Sequence, residues 1–185
     1  DADRVFLVDE RAEGVSGSEV TALIAAAMLE RHPSASVVYN LICSWTVPEV
    51  IREHGGRPIR TRVGHSFIKQ VMAETGAGFG GEHSGHYYFR DNYRADSGLI
   101  AAVIVLERLS RAAEPLSAVI APFKRYHDSG EINTRDGGRG LERHGQVGDH
   151  YVAPARRGGA RVVQLVGDPQ LTEAGDPGRK PDLEP

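Results

Sequence analysis

Hydrophobic residues along the first part of the chain switch repeatedly between the spacing of a helix and the spacing of a strand. Val20 and Leu23 begin an apolar stripe that recurs every three or four residues, as one face of a helix requires. Ser16, followed three residues later by Glu19, is the sequence signature of a capping box. The first helix is therefore predicted to begin here and to end before Pro33.

Strands and further helices follow in alternation. Residues 36–43 and 57–63 are apolar or β-branched runs of the kind found in buried strands. Between them, Thr46 opens a helix that the glycine pair at 55–56 ends. This alternation predicts an α/β fold, a three-layer domain with a mostly parallel sheet flanked by helices.

Two more helices are predicted beyond the sheet. Asp96 is the expected N-cap of the first, and residues 115–126 predict the second. The apolar residues of the first are expected to lie in the core, and they are Leu99, Ile100, Val103, Ile104 and Leu106.

The composition limits the classes of partner. Of 185 residues, 40% are hydrophobic and 25% are charged, and the formal net charge is -3. This balance is ordinary for a globular domain, and it argues against binding to nucleic acid or to an anionic membrane. No apolar run of membrane-spanning length or leader is visible. The single cysteine, Cys43, excludes an internal disulfide and favours a cytoplasmic protein with a buried thiol.

The densest chemistry lies in residues 80–89, Gly-Gly-Glu-His-Ser-Gly-His-Tyr-Tyr-Phe. Glu82 offers two acceptor oxygens, Ser84 a hydroxyl, and His83 and His86 ring nitrogens. The glycines let a ligand approach the backbone closely, and the aromatic run predicts a strand that holds the loop. Because one carboxylate accepts from two neighbouring hydroxyl groups at once, a sugar suits this loop.

Zinc is the competing interpretation of the same residues. Glu82, His83 and His86, with His65 from elsewhere in the chain, carry groups that bind zinc. A catalytic zinc site usually shows a helical His-Glu-x-x-His motif, however, and this stretch is rich in glycine. The sugar loop is therefore the favoured interpretation.

A second candidate region is the turn at residues 63–66, where a predicted strand meets a helix. Ligands bind where parallel strands end, and a helix N-terminus offers free N–H groups to a phosphate or sugar oxygen. Gly64 allows the tight turn, and His65 would contact the ligand. The alternative is that Ser66 only caps the helix and His65 is a satisfied surface residue. Lys69 is interpreted as a solvated residue, with a phosphate contact as the alternative.

The acidic start of the chain has two interpretations. Asp1 and Asp3, ahead of an apolar run, are carboxylates that can converge on Mg²⁺, which takes oxygen ligands. The other interpretation is a solvated acidic terminus.

Residues 81–86, Gly-Glu-His-Ser-Gly-His, resemble the sugar-binding loop of the α-D-phosphohexomutases, the phosphomannomutase/phosphoglucomutase family. The resemblance implies that Glu82 and Ser84 grip sugar hydroxyls and that His86 is a neighbouring contact or proton carrier. It also implies the family's reaction, which interconverts hexose 1- and 6-phosphates of mannose or glucose through a phosphoserine and a bisphosphate intermediate.

The acidic start is similar to the metal loop of that family, Asp-Gly-Asp-Gly-Asp-Arg, entered at its second Asp. The resemblance implies that Asp1 and Asp3 bind Mg²⁺ with Arg4 in support, and Ala2 replaces a glycine. Because the first Asp of the loop and an initial Met are missing, the chain is expected to be a fragment with an incomplete metal site.

A Gly-His-Ser turn similar to the one beginning at Gly64 feeds the active cleft of the family, which favours Gly64 and His65 as substrate contacts. The chain departs from the family after the strand at 36–43. Ile42 and Trp45 stand near the place where many members carry a basic residue that contacts substrate. Phosphate affinity on this side of the cleft is therefore expected to be weaker.

The resemblance implies three segments. Residues 1–14 would end the metal-loop domain, 15–122 would form the sugar-binding α/β domain, and 123–185 would be a linker and a divergent tail. The tail is expected to be poorly structured because it has little apolar surface to offset chain entropy. No phosphate-binding loop or nucleophilic serine segment of the family is found, so the chain alone is expected to lack mutase activity. The alternative is a non-catalytic sugar-phosphate-binding domain.

Overall fold

The structure is a computed structural model that describes residues 3–127. This part of the chain forms a two-stranded sheet, a four-stranded main sheet and five α-helices. The strands are β1 (Leu7–Val8), β2 (Gly14–Val15), β3 (Ser36–Asn40), β4 (Arg57–Thr61), β5 (Phe79–Gly81) and β6 (Tyr87–Phe89). The helices are α1 (Gly17–Arg31), α2 (Thr46–Glu53), α3 (His65–Thr75), α4 (Gly98–Ala112) and α5 (Leu116–Ile120). Short 3₁₀ turns occupy Arg90–Asn92 and Ala121–Phe123.

The main sheet has the strand order β4-β3-β5-β6. Strand β3 runs parallel to β4 and β5, and β6 returns antiparallel to β5 as a hairpin. β1 and β2 form a separate antiparallel pair. The mixed sheet with a parallel centre confirms the predicted α/β class.

Alternate side chains of the sheet enter two different cores. Val37 and Tyr39 of β3 pack in the larger core with residues of α1, α2 and α4. Val38, between them, packs in a smaller core against Ile68 and Met72 of α3. Because successive side chains of a strand point to opposite faces, helices cover both faces of the sheet and three layers result.

The capping box predicted at the start of α1 is confirmed, since Ser16 accepts from the Glu19 N–H and the Glu19 side chain accepts from the Ser16 N–H. The strand predicted at 36–43 is shorter. It ends at Asn40, whose carbonyl accepts from the Cys43 N–H in a tight turn. Cys43 is buried, as predicted.

Two predictions for the last helices were wrong in detail. Ser97, not Asp96, caps α4, because the Ser97 hydroxyl accepts from the Ile100 N–H. The helix predicted at 115–126 is split into α5 and a 3₁₀ turn that contains Pro122, a residue without an N–H to continue a helix.

Helix α4 also leaves part of its apolar surface uncovered. Leu99, Val103 and Leu106 are 60–74% exposed, although their spacing predicts a core position. Ile100 and Ile104 pack against the core as expected. The helix is apolar around most of its circumference, so spacing alone does not show which side faces α1.

The prediction for Asp1, and that for the linker and tail from residue 128 onward, lie outside the described residues. Within 3–127, no helix combines the length and apolar character needed to cross a bilayer.

The first turn of α1 lies directly against the backbone of the loop that joins β5 to β6. A Cβ atom added at Gly17 would lie 2.1 Å from the carbonyl oxygen of His83. A Cβ atom added at Gly81 would lie 2.4 Å from Cγ2 of Thr21 on the same helix. The sheet and α1 approach each other so closely here that only glycine fits at either position.

Gly17→Ala tests this approach. Alanine favours a helix over glycine by about 1 kcal/mol, so an unhindered site would gain stability. We expect a loss of about 1–3 kcal/mol instead, because the His83 carbonyl has to move. Gly14→Ala, whose added carbon meets nothing within 4 Å, is the matched control. Urea unfolding measures both variants, and a stabilised Gly17→Ala protein would contradict the packing described.

Candidate functional site

The candidate site lies at one edge of the sheet, where β3, β4 and β5 all end. Because these strands are parallel, the turns that follow them lie side by side. The loop after β5, residues 82–86, is closed by two backbone hydrogen bonds. The Glu82 N–H donates to the His86 carbonyl at 3.0 Å, and the Gly85 N–H donates to the Glu82 carbonyl at 3.1 Å. Gly85 adopts φ +85°, which favours glycine.

The Glu82 carboxylate is the centre of this loop. One oxygen, Oε1, accepts from the Gly64 N–H at 3.3 Å. The other, Oε2, accepts from the Ser84 hydroxyl at 3.2 Å and from the Tyr88 hydroxyl at 3.3 Å. Glu82 is only 3% exposed, so these donors replace the water that a carboxylate otherwise holds. The structure thus brings together the predicted residues Glu82, Ser84 and Gly64.

His86 connects the loop to the start of the chain. Its Nδ1 lies 3.2 Å from the Ser84 hydroxyl and 3.3 Å from Oε2 of Glu82. Its Nε2 accepts from Nε of Arg4 at 3.1 Å and lies 3.8 Å from a carboxylate oxygen of Asp3. Since arginine only donates, a neutral His86 carries its proton on Nδ1, where it is directed at Ser84 and Glu82.

Lys69 and Asp96 complete this side of the site. The Lys69 ammonium group lies 3.3 Å from Oδ1 of Asp96 and 5.6 Å from the centre of the Tyr88 ring. Lys69 was interpreted as a solvated residue and Asp96 as a helix cap, but both pack around the strand that carries Tyr88. No local pattern in the sequence indicates these contacts, because they join α3 to the segment before α4.

His65 is the exposed first residue of α3. Its ring makes no hydrogen bond within residues 3–127. Gly64, with φ +128°, occupies the N-cap position, and no side chain caps the helix. The alternative in which Ser66 is the cap is therefore wrong, and the side-chain partner of the turn is Glu82, which accepts from the Gly64 N–H.

The metal-ligand geometry of the described residues differs from the predicted zinc set, and the predicted Mg²⁺ set includes Asp1, which lies outside them. In the described part of the chain, the group with suitable spacing is Asp3, His86 and Asp96, whose ligand atoms lie within 4.8 Å of one another. Oδ1 of Asp3 is buried without a hydrogen-bond partner among the described residues. An unpaired buried carboxylate oxygen fits a hard cation, so the donor chemistry of Asp3 is compatible with Mg²⁺.

The His83 ring contacts an element outside the loop. Its Nδ1 lies 2.9 Å from the hydroxyl of Ser18 on α1, and that hydroxyl also accepts from the Ser44 N–H at 3.0 Å. The predicted zinc group of Glu82, His83, His86 and His65 is therefore not the one that the described residues assemble. Nothing in the sequence marks Ser18 as a partner of this loop.

Burial controls the ionisation of two groups near the loop. Burial, with Glu82 and Asp96 nearby, raises the pKa of the Tyr88 hydroxyl well above its usual range, so Tyr88 remains a donor to Glu82. Burial also raises the pKa of the Cys43 thiol to about 12. Cys43 is therefore a protonated, unreactive thiol at neutral pH.

The turn after β3 has an uncharged character. Ile42 is 52% exposed there, and Trp45 follows it at the start of α2. No basic side chain of the described residues contacts the loop from this turn. The cations near the loop are Arg4, which contacts His86, and Lys69, which lies against Tyr88 and pairs with Asp96.

Comparison with known proteins shows the family to which this fold belongs. A family model described as phosphoglucomutase/phosphomannomutase, alpha/beta/alpha domain III, matches residues 16–126. The chain therefore belongs to the phosphoglucomutase/phosphomannomutase family. The predicted boundaries after residues 14 and 122 stay predictions.

Its relatives include named phosphomannomutases. The protein from Methanocaldococcus jannaschii is 42% identical over 135 residues, which are 73% of this chain and 30% of that protein. The one from Escherichia coli K12 is 36% identical over 136 residues, again 73% and 30%. This chain thus spans about 30% of the length of the curated relatives it matches.

Solved structures show the same fold. A phosphoglucomutase/phosphomannomutase family protein from Burkholderia thailandensis is 34% identical with a TM-score of 0.65, covering 69% of this chain and 28% of that one. Aspergillus fumigatus N-acetylphosphoglucosamine mutase, solved in complex with GlcNAc-6P and magnesium, is 14% identical with a TM-score of 0.52. That match covers 65% of this chain and 31% of the mutase, and it shows similarity of fold.

Tyr88→Phe tests the role of its hydroxyl as a donor to Glu82. Removing a hydrogen bond to a buried carboxylate is expected to cost about 1–3 kcal/mol of unfolding free energy. The adjacent Tyr87 is the matched control, since it is equally buried but its hydroxyl has no hydrogen-bond partner among the described residues. We expect Tyr87→Phe to be neutral or stabilising. Chemical denaturation compares the two, and equal effects would contradict the assignment.

Proposed function

We propose that this chain is the sugar-binding part of a phosphohexomutase of the phosphomannomutase/phosphoglucomutase type. The parent enzyme would interconvert hexose 1-phosphate and 6-phosphate through a phosphoserine and a bisphosphate intermediate. One observation carries the proposal. A buried carboxylate, Glu82, gathers Ser84 and Gly64 at the edge where the parallel strands end, in a chain of this family.

Glu82 and Ser84 would bind the hydroxyl groups of the sugar. Since Glu82 is buried and already has hydrogen-bond donors, a ligand hydroxyl has to take the place of one of them. Of the two hydroxyl donors, Tyr88 is fully buried and Ser84 is only half-buried, so Ser84 is the one to be exchanged, and one O–H···O⁻ hydrogen bond replaces another. Ser84 is then free to bind a second hydroxyl, and the exposed His65 and the Gly64 turn can contact the same ligand.

Positive charge near the loop suits the phosphate. Arg4 contacts His86, and Lys69 lies against Tyr88. Phosphoryl transfer depends mainly on positioning and on neutralising the charge of the transferred group. His86 would act as a neighbouring contact or proton carrier, because its protonated Nδ1 faces the Ser84 and Glu82 oxygens.

Asp1 and Asp3 would hold Mg²⁺, with Arg4 in support. The unpaired oxygen of Asp3 supports this proposal. When bound, the ion would supply positive charge for the phosphoryl group. Asp1 and Asp3 would hold the ion near the sugar loop, because the segment that follows them contacts the loop through the Val5 N–H, which donates to the Gly85 carbonyl.

The nucleophilic serine of the proposed reaction would come from a part of the parent protein outside this chain. Cys43, the buried protonated thiol, does not replace it. The second candidate function is a non-catalytic sugar-phosphate-binding domain. We also propose a cytoplasmic location and hexose phosphates, not nucleic acid or membranes, as partners. The single cysteine and the net charge of -3 support both.

Binding of mannose 6-phosphate tests the sugar loop. Calorimetric titration of the chain should show saturable binding, and Glu82→Gln and Ser84→Ala should each weaken it by about tenfold or more, as expected for a lost hydrogen bond involving a charged group. Glu74→Gln, which neutralises an exposed carboxylate on α3, is the control and should bind as the unchanged protein does. Unfolding curves show that each variant is folded, and unaffected binding in both loop variants would refute the sugar-loop assignment.

A mutase assay separates the two candidate functions. We expect no conversion of mannose 1-phosphate to mannose 6-phosphate by this chain alone, because it lacks the proposed serine. The longer parent protein should convert it, with Mg²⁺ required. Turnover by the chain alone would overturn the proposed division of roles, and an inactive parent protein that still binds the sugar would favour the non-catalytic domain.

A further inference from the structure

Two other elements of the fold fix the position of His83. Its Nδ1 lies 2.9 Å from the hydroxyl of Ser18, in the first turn of α1. Ser18 is 2% exposed, and its hydroxyl also accepts from the N–H of Ser44, in the turn after β3, at 3.0 Å. The buried hydroxyl therefore links α1, the β3 turn and the sugar loop at one point.

The backbone of His83 is fixed as well. The Gly17 backbone approaches the His83 carbonyl so closely that an added carbon would lie 2.1 Å from the oxygen. With both the ring and the carbonyl held by the first turn of α1, the imidazole is pre-organised. Such groups bind a ligand without a further cost of ordering.

The outer nitrogen of His83 is available. The residue is half-buried, and Nε2 makes no hydrogen bond to any residue in the described range 3–127. In His86, by contrast, protein groups contact both ring nitrogens. Among the titratable side chains of residues 82–86, His83 thus offers the ring nitrogen that the protein leaves unused.

The surroundings of His83 are neutral. Ser18, Ser44 and the Cys43 thiol lie on this side, and Ile42 is exposed in the same turn. A phosphate is bound most strongly by cations and charge-assisted donors, and no cation among the described residues forms a hydrogen bond or ion pair with His83. A hydroxyl group both donates and accepts, so it pairs with Nε2 whichever nitrogen carries the proton.

We infer that His83 is a further substrate-contacting residue whose Nε2 binds a hydroxyl group of the hexose, not its phosphate, and so helps to select among epimeric sugars. The inference rests on the proposed function, since it assigns a contact within the same sugar loop. Ser18 is the positioning residue that orients the imidazole.

The test compares three probes, mannose 6-phosphate, glucose 6-phosphate and inorganic phosphate, by calorimetric titration. His83→Ala should weaken binding of the hexose phosphates by about tenfold, the value of one hydrogen bond of about 1.4 kcal/mol. It should change the ratio of the two hexose affinities and leave that for inorganic phosphate unaltered. His83→Gln should restore part of the affinity. His32→Ala, at the opposite end of α1, is the matched control and should change nothing.

Nitrogen-15 NMR of the imidazole rings distinguishes a ligand contact from a structural role, because only a ligand contact changes the Nε2 chemical shift when ligand is added. Mannose 6-phosphate should shift the Nε2 resonance of His83 and not that of His32, and inorganic phosphate should leave both in place. Ser18→Ala should weaken hexose binding in the same direction as His83→Ala, because the ring loses its anchor. The NMR result decides the question if His83→Ala does not fold.

Two outcomes distinguish this inference from the proposed function. In the first, the unchanged chain binds hexose phosphate, His83→Ala binds it equally well, and the Nε2 resonance does not shift. This result overturns the role of His83 but not the sugar-loop assignment. An equal loss of inorganic phosphate and hexose phosphate binding overturns the hydroxyl assignment. Absence of any hexose phosphate binding by the unchanged chain overturns both.

Discussion

The buried carboxylate of Glu82 is the constraint on which the site depends. A charge at 3% exposure is tolerable only when donors replace its hydration, and here they come from the β4–α3 turn, the loop and strand β6. Each donor is thereby held in place by its hydrogen bond to the same carboxylate. The loop is consequently defined by one electrostatic requirement that three separate elements satisfy, and its shape does not depend on the loop residues alone.

The rest of the fold serves to make that burial possible. Parallel strands end at one edge, so the Gly64 amide can reach a carboxylate that follows β5. The absence of side chains at Gly17 and Gly81 lets α1 close over the hairpin. Tyr88 stays protonated because it is buried, which keeps a donor beside the charge. Packing and electrostatics therefore favour the same arrangement, as in natural sequences with little local conflict.

What the sequence could predict follows from how local each signal is. The capping box of α1, the alternation of strands and helices and the grouping of Glu82 with Ser84 lie in short stretches with a fixed spacing, and the structure has all of them. The contacts of Lys69 and Ser18 join residues far apart in the chain, and no periodicity encodes them. The exposed face of α4 shows the same limit, since an apolar spacing indicates a face to be covered but not which neighbour covers it.

The distribution of charge around the loop gives the uncharged turn after β3 a physical meaning. Arg4 contacts His86 and Lys69 lies against Tyr88, where the carboxylates of Asp3 and Asp96 also lie. The His83 ring instead contacts the neutral Ser18, whose hydroxyl also binds the Ser44 N–H. A phosphorylated sugar has the same polarity, since one end carries charge and the ring carries hydroxyl groups. With the phosphate beside Arg4 or Lys69, the proposed contact at the His83 imidazole would be made by a ring hydroxyl. A basic residue in place of Ile42 would reduce this difference in charge, because it would attract the phosphate to the turn after β3 as well.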